Sequence, residues 1–271
     1  YGHRWGDFGW DSSFTFSANK NEIVELVKDY VHPETGKTYN VDKLELKTDE
    51  GRGFGKAKFI LKEGGTLGDL YTHADLKRDI NGNVLIDDSG NVTAIDNAGD
   101  IKLGSVLPKA NLAWNNSFSY KGINAGFLLT ARLGGIVYSA TQAYLDLYGV
   151  SETSAAARDA GGVWINGRSR VNPQSFYEVV ASQSGLPTYY TYSATNLRLQ
   201  EAHIGYTVPR RWLGNVCDIN VSLVGRNLWM IYCKAPFDPE AVATTNNYYQ
   251  GIDYFMMPST RNIGFNIKIN F

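Results

Sequence analysis

The sequence predicts an all-β fold, an antiparallel sheet of long strands, from three observations. Apolar and polar residues alternate with period 2 over stretches of about 9–13 residues, longer than the usual globular strand. The composition holds 17 Tyr, 12 Phe, 6 Trp and 28 Gly against 3 Met, which suits strands and turns better than a helical bundle. Short turns also alternate with very long connections.

Taken in order, the first strand is expected at 10–19, where Trp10, Phe14, Phe16 and Ala18 oppose Asp11, Ser13, Thr15 and Ser17. A second, with weaker alternation, is expected at 56–75. The third, 110–120, sets Leu112, Trp114, Phe118 and Tyr120 against Asn111, Asn115, Ser117 and Ser119. The fourth, 121–133, carries Ile123, Ala125, Phe127, Leu129, Ala131 and Leu133 on one face. Asn124, Gly126, Thr130 and Arg132 stand on the other, with Leu128 as the exception. The fifth, 196–208, slips phase once at Gln200-Glu201, as a β-bulge requires. The sixth, 217–231, alternates Ile219, Val221, Leu223 and Trp229 with Asn220, Ser222 and Arg226. The last, 260–271, sets Ile263, Phe265, Ile267, Ile269 and Phe271 against Asn262, Gly264, Asn266, Lys268 and Asn270.

These lengths suit tilted membrane strands of about 9–11 residues, although a soluble sandwich would alternate in the same way. The connections favour the membrane. Lys121-Gly122 and residues 209–216 are short, whereas 80–109, 134–195 and 232–259 exceed the ~12–15 residues common in compact soluble domains. Short turns at one rim and long loops at the other are the plan of an outer-membrane barrel. Trp10, Trp114, Tyr120, Tyr206, Trp229 and Phe271 are expected near strand ends, where an interfacial girdle belongs. A membrane-crossing helix is disfavoured. The best apolar window, 123–145, contains Arg132, and a mid-helix Arg costs ~2.5–3.5 kcal/mol. Single-chain bacterial barrels close with an even number of strands, and open edges are forbidden in hydrocarbon. Seven strands are therefore expected to be one portion of a larger barrel, whose other strands come from residues outside this chain.

The net charge of −1 and a pI near 6.5 exclude a dedicated nucleic-acid binder, which needs a basic face. No catalytic constellation is visible, so no enzyme and no cofactor are expected. His3, His32, His73 and His203 are scattered without metal-ligand spacing. Gly51-Arg52-Gly53-Phe54-Gly55-Lys56 lacks the spacing of a phosphate loop and reads as a Gly-rich turn. Asp79-Ile80-Asn81-Gly82-Asn83 and Asp87-Asp88-Ser89-Gly90-Asn91 resemble a calcium loop. The EF-hand register fails, with Val84 where Gly belongs and Gly90 where the bidentate Glu belongs, so side-chain-to-backbone turns are expected and no metal. Cys217 and Cys233 bracket one strand. At ~3.3 Å per residue they stand roughly 50 Å apart, beyond disulfide reach. The loop aromatics Tyr189, Tyr190, Tyr192, Tyr248, Tyr249 and Tyr254 are the candidate ligand contacts, because rigid rings stack on sugars or peptide side chains at low entropic cost. The alternative role for each is to pack the loops together.

A family resemblance rests on specific segments. Leu197-Arg198-Leu199-Gln200-Glu201 runs into Ile204-Gly205-Tyr206-Thr207-Val208-Pro209. Gly225-Arg226-Asn227-Leu228 is followed by Phe237-Asp238-Pro239-Glu240, and Pro258-Ser259-Thr260-Arg261 leads to Phe271. Upstream, Asn19 to Ile23, Leu61 to Gly64 and Leu67 to Tyr71 agree in order and spacing. Together they resemble the C-terminal part of SusC/RagA-like TonB-dependent outer-membrane transporters. The resemblance implies residues 1–271 of a barrel of roughly 22 strands, without the plug domain and the earlier strands. It implies TonB-energised import of an oligosaccharide or peptide across a Gram-negative outer membrane, long extracellular loops, a SusD-like surface lipoprotein as partner, and contact with the TonB complex through a segment not in this chain. It also implies that Phe271 serves as an assembly signal. The alternative functions are a passive channel or adhesin barrel without a plug, and a soluble carbohydrate-binding sandwich.

Overall fold

The computed structural model describes residues 1–46, 54–214, 216–243 and 250–270. Seven strands form one antiparallel sheet in chain order: β1 (Gly2–Trp5), β2 (Phe8–Ala18), β3 (Ala110–Tyr120), β4 (Ile123–Leu133), β5 (Asn196–Val208), β6 (Asp218–Cys233) and β7 (Asn262–Asn270). The β2–β3 register runs without a break from Ala110 opposite Ala18 to Tyr120 opposite Phe8. The β3–β4 register continues it from Ala110 opposite Leu133 to Tyr120 opposite Ile123. Lys121 and Gly122, at φ 46° and 89°, make the left-handed pair that a two-residue hairpin needs.

Because successive side chains alternate, this register collects like residues into rows. Phe14, Trp114, Leu129, Leu199 and Trp229 form one row. Trp10, Phe118, Ala125, Ile204, Leu223 and Phe265 form another on the same face. The opposite face carries Ser17, Asn111, Arg132 and Asn196, and lower down Ser13, Asn115, Leu128, Glu201 and Arg226. The apolar face is left open: Phe265 is 78% and Phe14 63% exposed. Such a surface suits an apolar solvent. Tyr120 and Tyr206 lie at the short-turn rim as expected of a girdle, whereas Trp114 stands in the body of its strand.

The expected bulge is present. Leu129 pairs with Leu199 and Leu128 with Glu201, so Gln200 is the extra residue. The expected strand at 56–75 is corrected. It splits into Ala57–Lys62 and Asp69–Thr72, which fold back on each other in a separate four-stranded sheet with Lys43–Glu45 and Ile101–Ser105. Gly65 N donates to Lys62 O at 2.9 Å to close the turn. Ala57, Phe59, Ile60, Leu70 and Tyr71 are all buried, which is how a strand covered on both faces reads. The seventh strand of the main sheet is instead Gly2–Trp5, joined to β2 by Gly6-Asp7. The connection from β2 to β3 therefore covers 19–109, not only 80–109.

That connection and those at 134–195 and 234–261 all leave the same rim, while Gly6-Asp7, Lys121-Gly122 and 209–217 occupy the other. The long connections build a layer with its own hydrophobic core, including Phe59, Leu70, Val106, Tyr138, Phe176 and Ile252. Within it stand α1 (Ala140–Leu147), α2 (Glu152–Asp159) and α3 (Pro173–Val180). Each has a side-chain N-cap: Ser139 Oγ accepts from Gln142 N, Ser151 Oγ from Ser154 N, and Asn172 Oδ1 from Gln174 N. The Asp-rich segment forms turns of the expected kind. Asp79 Oδ1 accepts from the Asn81 and Asn83 amides, and Asp87 Oδ1 from those of Ser89 and Asn91. Cys217 and Cys233 are unpaired. Among the described residues, no helix is long and apolar enough to cross a membrane, which says nothing of crossing by strands. The Gly-rich run from Gly51 falls partly outside the described residues.

Candidate functional site

The polar face meets the loop layer where β2 to β5 end. There Ser17, Asn111, Arg132 and Asn196 lie side by side across four strands. Arg132 Nη2 donates to Val106 O at 2.9 Å, tying the sheet to the core of the layer above it. Beside this row opens a cleft of about 630 Å³, whose lining includes Ser17, Lys20, Thr66, Ser105, Lys109 and Asn111. Its two charged lining residues are both lysines; Lys20 is paired with Glu22 at 2.7 Å, so an approaching ligand meets Lys109 beside hydroxyl and amide groups.

A second constellation holds the 234–261 connection to the sheet. Arg198 on β5, its side chain 7% exposed, pairs with Asp238 Oδ1 at 2.7 Å and Glu240 Oε2 at 3.3 Å. Asp238 also takes the Ser259 hydroxyl at 2.5 Å and the Glu240 amide at 3.0 Å. Asn196 Nδ2 donates to Glu240 Oε1 at 3.1 Å, and Asn227 Nδ2 to Thr260 O at 3.3 Å. Burial pushes the Asp238 carboxyl up, but the hydrogen bonds from Arg198, Ser259 and the Glu240 amide together outweigh it and hold it below its ordinary value. Among the described residues, Arg198 Nε is buried without a hydrogen-bond partner. The segments that carry the family resemblance, around Leu197, Gly225, Phe237 and Pro258, thus converge on one charge cluster.

The candidate aromatics divide. Tyr190 is 2% exposed and donates its hydroxyl to Asp146 Oδ2 at 3.0 Å inside the loop core. Tyr189 packs edge-on against Phe176, and Tyr192 edge-on against Phe237 with ring centroids 5.5 Å apart. Burial pushes the Tyr192 phenol up to about 12, and raises those of Tyr189 and Tyr190 as well. Tyr254 is exposed, in a cluster with Phe54, Tyr144 and Phe255. Tyr248, Tyr249 and Phe271 lie outside the described residues. Arg132 and Lys109 were not singled out from sequence. Strand phase put Arg132 on the polar face, but nothing there told of a cleft above it.

Comparison with known proteins fits this geometry. Three curated relatives from Formosa agariphila are named TonB-dependent receptors P3, P26 and P39, at 25%, 25% and 23% identity over 97%, 99% and 97% of this chain. The chain spans only 27–28% of their length. Among solved structures, the RagAB peptide importer in its closed-closed state aligns with 99% of this chain and 28% of its own, at TM-score 0.63 and 16% identity. The RagAB peptide transporter aligns at TM-score 0.62, 16% identity, over 100% of this chain and 28% of its own. At that identity the likeness shows a shared fold. No family model matches the chain.

Proposed function

We propose that this chain is the C-terminal barrel portion of a TonB-energised outer-membrane importer. The observation that carries the reading is one sheet with an open apolar face, a polar face, and every long connection on a single rim. That arrangement suits lipid on one side and an aqueous passage on the other. The relatives named TonB-dependent receptors support the energised class over a passive channel. In this reading the loop layer faces outward beneath a SusD-like lipoprotein, and the 209–217 turn faces the periplasm. The rest of the barrel, the plug and the TonB-contacting segment come from residues outside this chain. The cargo is an oligosaccharide or a peptide, passing the cleft lined by Lys20, Lys109 and Asn111 on its way inward. Of the candidate tyrosines among the described residues, Tyr254 is the exposed one and is placed to meet it, and Phe271 acts in assembly of the barrel.

The test is uptake of labelled peptides and oligosaccharides by cells carrying the full-length protein, with and without TonB. Uptake abolished by loss of TonB supports the proposal. Uptake that persists without TonB would identify a passive channel instead.

A further inference from the structure

At the short-turn rim the apolar face of the sheet ends in one row. Trp5, Phe8, Tyr120, Ile123, Tyr206 and Val221 lie side by side across β1 to β6. Trp5 is 54% exposed, and Tyr120 and Ile123 are each 47% exposed. Past this row the chain reverses at Lys121-Gly122 and at 209–217. The two turns are neighbours, because Thr207 N donates to Gly122 O at 2.7 Å. The second turn is tight: Trp212 N donates to Pro209 O at 2.9 Å, and Gly214 supplies the left-handed residue at φ +64°. Small polar residues suffice for a turn in water. This one instead presents Trp212 and Val216, each 65% exposed.

The charges at these turns are unequal. Lys121 Nζ lies 5.4 Å from the centre of the Tyr120 ring, which puts it at the apolar side of the rim, and 3.9 Å from Asp7 Oδ2. Arg210 Nε pairs with Asp218 Oδ2 at 3.2 Å. Arg211 is exposed and has no ion pair among the described residues. Both carboxylates are already matched, so a surplus positive charge stands next in sequence to an exposed indole. The order of chemistry down this face is apolar row, amphipathic ring, cation. That order matches the acyl chain, glycerol and phosphate of a phospholipid. A zwitterionic headgroup would bring its own ammonium up to Arg211 as a like charge, whereas a headgroup of net negative charge brings none. A soluble acidic partner would meet the charge and leave the apolar row uncovered.

We propose that the rim at Lys121 and 209–217 selects an anionic phospholipid of the periplasmic leaflet, with Arg211 and Lys121 on its phosphate and Trp212 at the depth of its glycerol. The proposal rests on the reading of the apolar face as lipid-facing and of this rim as periplasmic. For the test, the full-length protein is reconstituted in phosphatidylcholine vesicles containing rising fractions of brominated phosphatidylglycerol or, in parallel, of brominated phosphatidylcholine. Bromine quenches the indoles that its chain touches, and the difference from Trp212→Phe isolates the share of Trp212. Half-quenching of Trp212 is expected at a roughly fivefold lower fraction of phosphatidylglycerol, the effect of one basic side chain at an anionic surface. Arg211→Ala should bring the two lipids to near parity, and Arg211→Lys, which keeps the charge, should retain the preference. Arg211 is exposed, and the heat-modifiable gel shift checks that its variants stay folded. Equal quenching of Trp212 by the two lipids, or a preference unchanged in Arg211→Ala, would overturn the site and leave the importer reading intact. Absence of quenching of any tryptophan by either lipid would overturn the lipid-facing reading and the site with it.

Discussion

Asn116 stands on the apolar face of β3, in the row between Trp114 and Phe118, and is 1% exposed. Aromatic neighbours make that position tolerable. Trp10 Nε1 donates to Asn116 Oδ1 at 3.1 Å, and Trp114 Nε1 donates to Ser12 Oγ, directly opposite Asn116, at 3.0 Å. The two indoles thus roof a polar pair and turn apolar surface outward. Trp10→Phe removes one donor and strands a buried carbonyl, so it should destabilise the folded barrel by ~1–3 kcal/mol. Adding Asn116→Leu to that variant should recover most of the loss, as read from denaturant unfolding in detergent. No recovery would mean that Trp10 contributes by packing alone. At the same scale, Asp238→Ala leaves Arg198 buried without its main partner and should cost ~3–5 kcal/mol. The depressed Asp238 carboxyl gives this contact a defined pH window. Its contribution is complete above the unfolded-state value of ~3.9 and is lost as pH falls through the lower folded value. Protease cutting within 234–261 should therefore stay level from pH 7 to 5 and rise only below about pH 4.

Among elements, what was legible in the sequence depended on which solvent each strand faces. Strands with one polar and one apolar face announced themselves by alternation, and the slip at Gln200 marked its own bulge, because one added residue reverses every later side chain. β1 offers only Gly2, His3, Arg4 and Trp5, too few residues to show a period. The 57–72 segment imitates a long strand because its two arms are buried on both faces, and that removes the alternation that would have shown its fold. The three short helices were missed for a related reason. Their signals are local caps such as Asn172-Pro173, easily lost within a long polar connection. The Arg198 cluster was out of reach, since Asp238 arrives 40 residues later by a path that strand phase does not encode. The separate core of the loop layer has a measurable consequence. Leu70→Ala, at a position with no exposure, should cost ~2–5 kcal/mol. Protease sensitivity of the loops should rise while the heat-modifiable gel shift of the barrel is unchanged. A lost gel shift would mean that sheet and layer unfold as one unit.

In the molecule as a whole, stability is divided between two environments. The loop layer buries its own core against water, whereas the sheet buries almost nothing within this chain and presents opposite chemistry on its two faces. β1 and β7 stand at its edges, with backbone groups that further strands must pair if the sheet lies in hydrocarbon. All of this turns on whether the Phe265 face meets lipid and the Asn266 face meets water. Adjacent residues on β7 put the question directly, because they differ in face and hardly in depth. Phe265→Arg and Asn266→Arg would be made separately in the full-length protein, and the folding free energy of each measured in lipid vesicles. The prediction is a cost of ~2–4 kcal/mol for Phe265→Arg near the bilayer midplane and little change for Asn266→Arg. Equal tolerance at the two positions, or a larger cost at Asn266, would contradict it.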